Sequence, residues 1–280
     1  MGPKKKISKM KISSYSPIGI FDSGIGGLLI AKEIKTHMPN ECIIYFGDTK
    51  NMPYGDKSKE FIRNHSIKIA SFLYKKKCKA IVIACNSITS NALDLIQKEF
   101  YKKILIFNVI DPIVKNKIFL SSKKIGIIAT PATIRSNFYQ KKIKKYFPHL
   151  EIIQISTALL AVIIENGFEK KKINSIIEYY LNHFQSIDTL LLACTHYLFL
   201  KNKIDNFYHG KVRLINIPKI VVQEIKNKLL ENNLLCLHPK WNNPTVFYTT
   251  SNSISPFFNE QVRILFGEKI LFKKYFFNLF

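Results

Sequence analysis

This chain of 280 residues lacks the common motifs for holding metals and spanning membranes. Its five cysteines are odd in number and include no Cys-x-x-Cys pair, so we expect neither a disulfide framework nor a zinc site. The longest apolar stretch, residues 152–164, is shorter than a bilayer span and is interrupted by polar residues. The basic segment 1–17 lacks the apolar core of a signal peptide. We therefore expect a cytoplasmic protein that binds no metal and no membrane.

Neither of the two common nucleotide-binding loops is present. The glycine-rich turn at residues 22–27 would need a glycine at Leu29 to match the dinucleotide fingerprint, and no Gly-Lys-Ser/Thr follows it to make a P-loop. A turn between a strand and a helix still offers backbone N–H groups, which suit a carboxylate as well as a phosphate. The turn either serves the fold alone or also contacts a ligand, and Asp22 and Ser23 at the strand end favour contact. No cofactor is expected.

Arginine is also scarce. The formal net charge is +24, yet only four of the 43 basic residues are arginine and the rest are lysine. Nucleic-acid sites favour arginine because its planar guanidinium makes bidentate contacts with bases and phosphates. The lysines are spread over helical stretches, which indicates a solvated surface. We therefore expect no specific nucleic-acid partner.

Two cysteines, in contrast, occupy matching positions half a chain apart. Cys85 follows the apolar run 80–84, and Cys194 follows the apolar run 190–193. Each run is typical of a buried strand that ends in a thiol and then polar residues. Ligands of parallel α/β sheets bind at that end of the strands. The pattern predicts one site with a proton-transferring thiol on each side.

The match extends upstream and indicates a duplication. An Ile-Gly-Ile strand begins at Ile18 and another at Ile125, so the spacing to the following cysteine is 67 residues (18 to 85) in one half and 69 (125 to 194) in the other. Alternating strands and helices predict an α/β fold of two pseudo-symmetric domains, with mainly parallel sheets flanked by helices and the active site between them.

The alternation predicts the bounds of the domains. The return of the C-terminal segment to the first domain is implied by the family resemblance described below. The polar, basic extension is residues 1–17, the first α/β domain is residues 18–109 plus 216–280, and the second is residues 110–215. Within them we expect, among other elements, helices at 90–100, around 112–119 and through 135–146, and a final helix that closes the chain.

The chain resembles glutamate racemases, enzymes of the aspartate/glutamate racemase superfamily that make D-glutamate for peptidoglycan without a cofactor. The resemblance covers nearly the whole chain from residue 18 onward. The matching segments are residues 21–27 (FDSGIGG), 45–49 (YFGDT), 53–55 (PYG), 84–87 (ACNS) and 194–197 (CTHY), with weaker matches at 248–251 (YTTS) and 266–267 (FG).

The resemblance implies the roles of individual residues. Cys85 and Cys194 would be the two acid–base groups, Cys85 acting on the D form and Cys194 on the L form, with Asp22 assisting Cys85 and His196 assisting Cys194. A thiol suits this work because its reference pKa of about 8.5 lies near neutrality. The substrate-binding residues would be Asp22, Ser23, Tyr54, Gly55, Asn86, Ser87, Thr195 and His196, and Thr130, Thr133 and Glu165 are possible additions.

The chain departs from the family pattern at Ser87, Ala193, Leu198 and Asn216. The family also implies glutamate as the small-molecule partner, a homodimer, and a possible role of the N-terminal extension in activation by a peptidoglycan precursor. Two alternatives stay open. One is a related racemase acting on aspartate or another amino acid, and the other is a non-catalytic descendant that acts as a binding or inhibitory protein.

Overall fold

Two parallel β-sheets, each covered by helices, form the framework of the protein. In the computed structural model the described residues are 12–167, 170–238, 245–251, 255–267 and 271–275. Residues 1–11 of the predicted N-terminal extension lie outside this range. Of the rest of that extension, residues 12–17 precede the first strand, and the carbonyl of Ser14 accepts a hydrogen bond from the buried Lys79 ammonium at 2.6 Å.

All strand pairs in both sheets are parallel. The first sheet has the order β10-β9-β2-β1-β3-β4 and the second has the order β6-β5-β7-β8. The strands are β1 (Ile18–Asp22), β2 (Ile43–Gly47), β3 (Ala80–Ile83), β4 (Leu105–Asn108), β5 (Lys124–Ala129), β6 (Glu151–Ser156), β7 (Thr189–Ala193), β8 (Arg213–Leu214), β9 (Thr245–Thr249) and β10 (Leu271–Lys274).

Helices follow most of the strands and pack on the sheets. They are α1 (Leu28–His37), α2 (Lys59–Lys75), α3 (Asn86–Glu99), α4 (Asp111–Val114), α5 (Pro131–Ser136), α6 (Phe138–Tyr146), α7 (Leu160–Glu165), α8 (Lys170–Leu181), α9 (Lys201–Phe207), α10 (Ile217–Glu231) and α11 (Pro256–Phe266), with 3₁₀ helices at Tyr54–Asp56, Lys117–Ser121 and Thr195–Leu200. Because both sheet faces are covered, the central strands are apolar without alternation, and β1, β3 and β7 are buried at every residue. No helix within these described ranges is long and apolar enough to cross a membrane.

The strand order of the second sheet repeats that of the first. β6-β5-β7-β8 corresponds to β2-β1-β3-β4, and β9 and β10 extend only the first sheet, beyond β2. In each sheet the chain leaves the central strand (β1 or β5) for a neighbour on one side and returns to a strand on the other side. Ligands of open α/β sheets bind outside the carboxyl ends of the strands at such a switch point. Cys85 follows β3 and Cys194 follows β7, so each thiol lies at the switch point of its own sheet.

This arrangement confirms the predicted α/β fold with two parallel sheets. The first sheet uses strands from residues 18–108 and 245–274, and the second uses strands from residues 124–214. α10 packs against α1 and α4. The division into domains at residues 110 and 215 is consistent with these pairings and stays a prediction.

Four details of the sequence prediction were wrong. The helix after Cys85 begins at Asn86 rather than at residue 90, because Cys85 itself is the N-cap. The helix through 135–146 is two helices, since Asn137 adopts a left-handed conformation with φ 53°. The helix around 112–119 is the short α4 followed by a separate 3₁₀ turn that Asn116 caps. α11 does not close the chain, because β10 follows it and pairs with β9.

Candidate active site

A narrow cavity lies between the carboxyl ends of the two sheets. Its volume of about 10 Å³ is room for about one water molecule. Both sheets contribute side chains to its wall. It is lined by Ser23, Pro53, Tyr54, Gly55, Cys85, Asn86, Ser87, Thr130, Ala161, Cys194, Thr195 and His196.

A much larger cavity, about 700 Å³, lies beside β4, α4 and α10. It contains lysine, amide and carboxylate side chains but neither Cys85 nor Cys194. Size alone would favour this cavity as the reaction site. The narrow cavity is the better candidate because it holds two thiols, an imidazole and several hydroxyl groups together. Within the described residues, no three His, Cys, Asp or Glu side chains are grouped so that they could hold a metal ion.

Cys85 connects β3 to the first turn of α3. Its backbone is extended, with φ −86° and ψ 129°, and its carbonyl accepts from the Thr89 N–H at 2.9 Å. Its sulfur accepts from the Ile88 N–H, and the Ser23 hydroxyl lies 3.8 Å away. Burial, reinforced by the negative charge of Asp22, raises the pKa of the Cys85 thiol to about 12. The surroundings of Cys85 therefore favour the protonated thiol in the free protein.

Cys194 has a different neighbour. Its sulfur lies 3.5 Å from Nδ1 of His196, and Nε2 of the same ring lies 2.6 Å from Oε1 of Glu165. Burial alone would lower the pKa of His196, but the negative charges of Glu165 and Cys194 outweigh it and raise that pKa well above its ordinary value. His196 is therefore a cation between a carboxylate and a thiol. A cation at this distance favours the thiolate form of a cysteine.

Two buried carboxylates join the halves of the site. Oδ2 of Asp22, at the end of β1, accepts a 3.1 Å hydrogen bond from the Thr195 hydroxyl of the second half. Oε1 of Glu165, at the end of α7, accepts a 3.0 Å hydrogen bond from the Ile25 N–H of the first half. Burial raises the pKa of Asp22, an effect that the charge of His196 partly offsets. Asp22 therefore acts on Cys85 in the first half and binds Thr195 of the second half. Glu165 acts on His196 in the second half and binds the Ile25 N–H of the first half.

The glycine-rich turn allows this close approach. A Cβ atom on Gly24 would overlap Oε1 of Glu165, and one on Gly26 would overlap the Thr195 hydroxyl. The second half therefore packs against this turn, and a side chain larger than that of glycine would not fit at position 24 or 26. Gly55 shows the same requirement, since a Cβ atom there would come within 2.6 Å of Thr130 Cβ.

Hydroxyl and amide groups also line the cavity. The Ser87 hydroxyl lies 2.8 Å from that of Thr130, and Thr133 lies behind both. Tyr139 donates a 2.6 Å hydrogen bond to Oδ1 of Asn86. The other atom of that amide, Nδ2, is buried and has no hydrogen-bond partner in the described structure. Asn86 therefore has an unused donor at the cavity wall.

The structure brings the predicted site residues together. Ten line the cavity, while Asp22, Glu165 and Thr133 lie behind it in hydrogen-bond contact with the lining. Of the four departures, Ser87 lines the cavity, Ala193 is buried at the end of β7, Leu198 packs on the core, and Asn216 caps α10.

Sequence reasoning missed a buried hub at Asp48. Its carboxylate accepts hydrogen bonds from the Tyr54 hydroxyl, from Thr250 at 2.6 Å and from Asn51, and it lies 3.1 Å from Nδ1 of His65. It thereby holds the cavity-lining Tyr54 and ties the end of β9 to the site. Asp48 lies in the matched segment 45–49, so the sequence indicated the residue, but it gave no sign of the bond from Thr250, which is 202 residues away.

Comparisons with known proteins agree with this geometry. A model of the Asp/Glu/hydantoin racemase family matches residues 29–225. Glutamate racemase 3 of Caldanaerobacter subterraneus is 35% identical over 261 residues, which are 91% of this chain and 93% of that protein. The structure of glutamate racemase from Francisella tularensis with D-glutamate has a TM-score of 0.84 and 35% identity, covering 95% of this chain and 98% of that one. The aspartate racemase of Picrophilus torridus, at 18% identity and a TM-score of 0.55 over 79% of this chain and all of that one, shares the fold alone.

Proposed function

Since this chain belongs to the Asp/Glu/hydantoin racemase family, we propose that it interconverts L- and D-glutamate by a two-thiol route. The observation that carries the mechanism is the pair of cysteines at equivalent strand ends of two like sheets, both lining one cavity. The substrate comes from its relatives, which are named glutamate racemases at 35% identity over nearly the whole chain.

Racemisation removes a weakly acidic proton from Cα and returns one from the opposite face. A single base would have to cross the plane of the carbanion, whereas two opposed groups need not move. In the L-to-D direction the Cys194 thiolate takes the Cα proton and the Cys85 thiol gives its proton to the other face. The reaction leaves Cys194 protonated and Cys85 as the thiolate, so no atom is gained or lost. The D-to-L direction is the reverse.

The charged residues beside the two thiols differ in sign. Cationic His196 stabilises the Cys194 thiolate, and Glu165 keeps His196 charged. Asp22 acts near Cys85, where its negative charge favours the thiol that must deliver a proton in the L-to-D direction. The two sulfurs thus have neighbours of opposite charge, Asp22 beside Cys85 and His196 beside Cys194.

The cavity wall offers donors for the two carboxylates of glutamate. These are the Asn86 amide and the hydroxyls of Ser23, Ser87 and Thr130, with Tyr54, Gly55 and Thr195 completing the wall. The unpartnered Nδ2 of Asn86 is the donor most in need of an acceptor, because an unsatisfied buried polar group is costly. Glutamate is much larger than one water molecule, so its binding requires the cavity to widen.

The cellular role follows from the family alone. D-glutamate made by this reaction is a building block of peptidoglycan, and we assign the enzyme to the cytoplasm as a homodimer. The N-terminal extension is proposed to mediate activation by a peptidoglycan precursor, which deletion of residues 1–16 and assay with and without such a precursor would test.

A cofactor-free assay tests the proposed reaction. The purified chain is incubated with L-glutamate in D₂O, and early D-glutamate is expected to carry deuterium at Cα while recovered L-glutamate stays largely protiated. Return of the substrate's own hydrogen to the product would favour one shuttling base. A panel of other amino acids, aspartate first, tests the alternative substrates, and a chain inactive on the whole panel would be a binding protein instead.

Cysteine variants test the assigned residues. Cys85→Ala and Cys194→Ala are each expected to abolish racemisation, because each removes the proton carrier that the two-thiol route assigns to one face. Cys42→Ala is the control, since Cys42 lies outside the cavity lining. Near-normal turnover of either site variant would contradict the two-thiol route.

A further inference from the structure

Tyr139 is a buried residue beside the site that the mechanism above does not use. It lies in the first turn of α6 in the second half, its side chain is 1% exposed, and its ring is part of the hydrophobic core. Its hydroxyl donates a 2.6 Å hydrogen bond to Oδ1 of Asn86, the residue that begins α3 in the first half. Asn86 lines the narrow cavity and Tyr139 does not, so Tyr139 is connected to the cavity through Asn86.

The donors and acceptors at this contact explain the orientation of the Asn86 amide. Asn86 has one acceptor atom, Oδ1, and one donor atom, Nδ2. In the part of the chain that the structure describes, the Tyr139 hydroxyl makes no hydrogen bond other than that to Oδ1. Burial raises the pKa of this hydroxyl, so it keeps its proton and needs an acceptor. With Oδ1 in this contact, Nδ2 is the atom of the amide that is buried without a partner.

Turning the amide over would not pair every donor. Nδ2 would then donate to the Tyr139 oxygen, but the Tyr139 proton would lose the acceptor that it has. One buried donor is therefore unpaired in either orientation, at a similar cost in free energy. The two orientations differ in where this donor lies, since Asn86 belongs to the cavity wall and the Tyr139 hydroxyl does not. The observed orientation leaves the unpaired donor on the residue that a ligand can contact.

We propose that Tyr139 is a positioning residue for glutamate binding, which holds the Asn86 amide so that Nδ2 faces a carboxylate of the substrate. The proposal rests on the proposed function, which supplies the carboxylates. Without the Tyr139 hydroxyl, Oδ1 loses its donor and nothing in this contact distinguishes the two ends of the amide. An amide that presents Oδ1 to a carboxylate places two acceptors against each other, and this weakens binding.

The first test is Tyr139→Phe, which removes one oxygen atom from the contact and keeps the ring. KM for L- and D-glutamate is expected to rise about fivefold, while kcat stays within about twofold because both thiols are unaltered. Isothermal titration calorimetry with racemic glutamate, whose composition the reaction does not change, measures the affinity directly. Tyr208→Phe is the matched control, since its hydroxyl donates to the Leu181 carbonyl at 3.5 Å. An unchanged KM, or a lower kcat at unchanged KM, would overturn the proposal.

A double-mutant cycle separates positioning from a general effect on the fold. Asn86→Ala removes the amide and is expected to raise KM by itself. Adding Tyr139→Phe to Asn86→Ala is expected to change KM by less than about twofold, because no amide is left to orient. If Tyr139 acted on the fold independently of Asn86, the effects of the two substitutions on KM would multiply. Multiplication of the two effects would therefore contradict the proposal.

Asn86→Asp keeps the proposal testable if Tyr139→Phe does not fold. An aspartate accepts from Tyr139 with one oxygen and presents the other oxygen in place of Nδ2. KM for glutamate is expected to rise more than about tenfold, because a carboxylate would then face a carboxylate. A KM that is unchanged or lower would mean that Nδ2 does not face the substrate carboxylate, and the proposal would be wrong.

Nuclear magnetic resonance tests the contact in the free protein. In a chain labelled with nitrogen-15 at its asparagines, the Asn86 side-chain amide is identified by its absence from the spectrum of Asn86→Ala. One sharp pair of proton signals is expected in the unaltered chain, and a doubled or broadened pair in Tyr139→Phe, because the amide then takes both orientations. The same single sharp pair in both proteins would refute the role of Tyr139. If the unaltered chain does not racemise glutamate, the proposed function fails, whereas this spectrum still tests the orientation of the amide.

Discussion

Replacing Glu165 by glutamine removes a negative charge at the centre of the site and keeps the size and shape of the side chain. Oε1 of Glu165 accepts from the Ile25 N–H and faces Nε2 of His196 at 2.6 Å. The glutamine carbonyl can keep both contacts, because it is an acceptor of the same size. What Glu165→Gln removes is the negative charge that holds His196 in its cationic form.

The size of the effect follows from burial. Hydrogen bonds to charged groups contribute about 1.5–3 kcal/mol, and His196 can avoid an unpaired charge by releasing its proton. We therefore expect a loss of about 2 kcal/mol in the free energy of unfolding near pH 6. For a chain of this size that loss lowers Tm by roughly 5 °C.

The loss depends on pH with a definite sign. The pKa of His196 in the folded chain lies above its unfolded value of about 6.5. The stabilisation is therefore complete below about pH 6.5 and is lost as the pH rises through the folded-state pKa. The difference in Tm between the unaltered chain and Glu165→Gln is expected to be largest near pH 6 and to narrow at higher pH.

Thermal unfolding followed by fluorescence from pH 6 to pH 10 measures this difference. Glu178→Gln is the matched control, because Glu178 is an exposed carboxylate on α8 of the same half. If Glu165→Gln were as stable as Glu178→Gln at pH 6, the pairing of Glu165 with a cationic His196 would be wrong. A Tm difference independent of pH would refute the titration argument.

Two further predictions follow from the same site. Gly24→Ala is expected to destabilise the chain by about 1–3 kcal/mol and to reduce racemisation, because its Cβ would overlap Glu165. Gly47→Ala is the control and is expected to be tolerated, because the nearest atom to its Cβ would be 3.4 Å away. Equal melting temperatures of the two variants would contradict this packing. Iodoacetamide labelling of Cys85 is expected to quicken about tenfold per pH unit up to pH 10, because its pKa is raised to about 12, and a plateau below that pH would refute the assignment.

The sequence allowed the strand-end thiols to be predicted because the signal is local. An apolar run followed by a cysteine and polar residues marks the carboxyl end of a buried strand, and parallel sheets bring such ends to one edge. The repeated Ile-Gly-Ile strands also predicted two like sheets, and the equivalent strand orders bear this out.

Other features depended on information that no local pattern carries. The start of α3 was hidden because Asn86, Ser87 and Thr89 are poor interior helix formers. In the structure the Thr89 hydroxyl bonds to the Cys85 carbonyl at 2.9 Å, within the first turn. β10 is only four residues long, and its partner β9 is separated from it by a helix.

Contacts across the two halves could not be predicted for a different reason. The hydrogen bond of Thr195 to Asp22 and that of Ile25 to Glu165 depend on how one sheet is placed against the other. A repeat in the sequence fixes the architecture of each half but not their relative position. The bond from Thr250 to Asp48 lies within the first half, and it was hidden because the two residues are 202 positions apart in the sequence.

The duplication and the charges of the site have separate consequences for the reaction. Duplication places the two thiols at equivalent strand ends, so position alone would give them equal tendencies to hold a proton. The neighbouring charges remove this equality, because a carboxylate acts on Cys85 and a cationic imidazole acts on Cys194. We therefore expect the free enzyme to keep the proton of Cys85, because burial and the charge of Asp22 both favour that thiol over its thiolate.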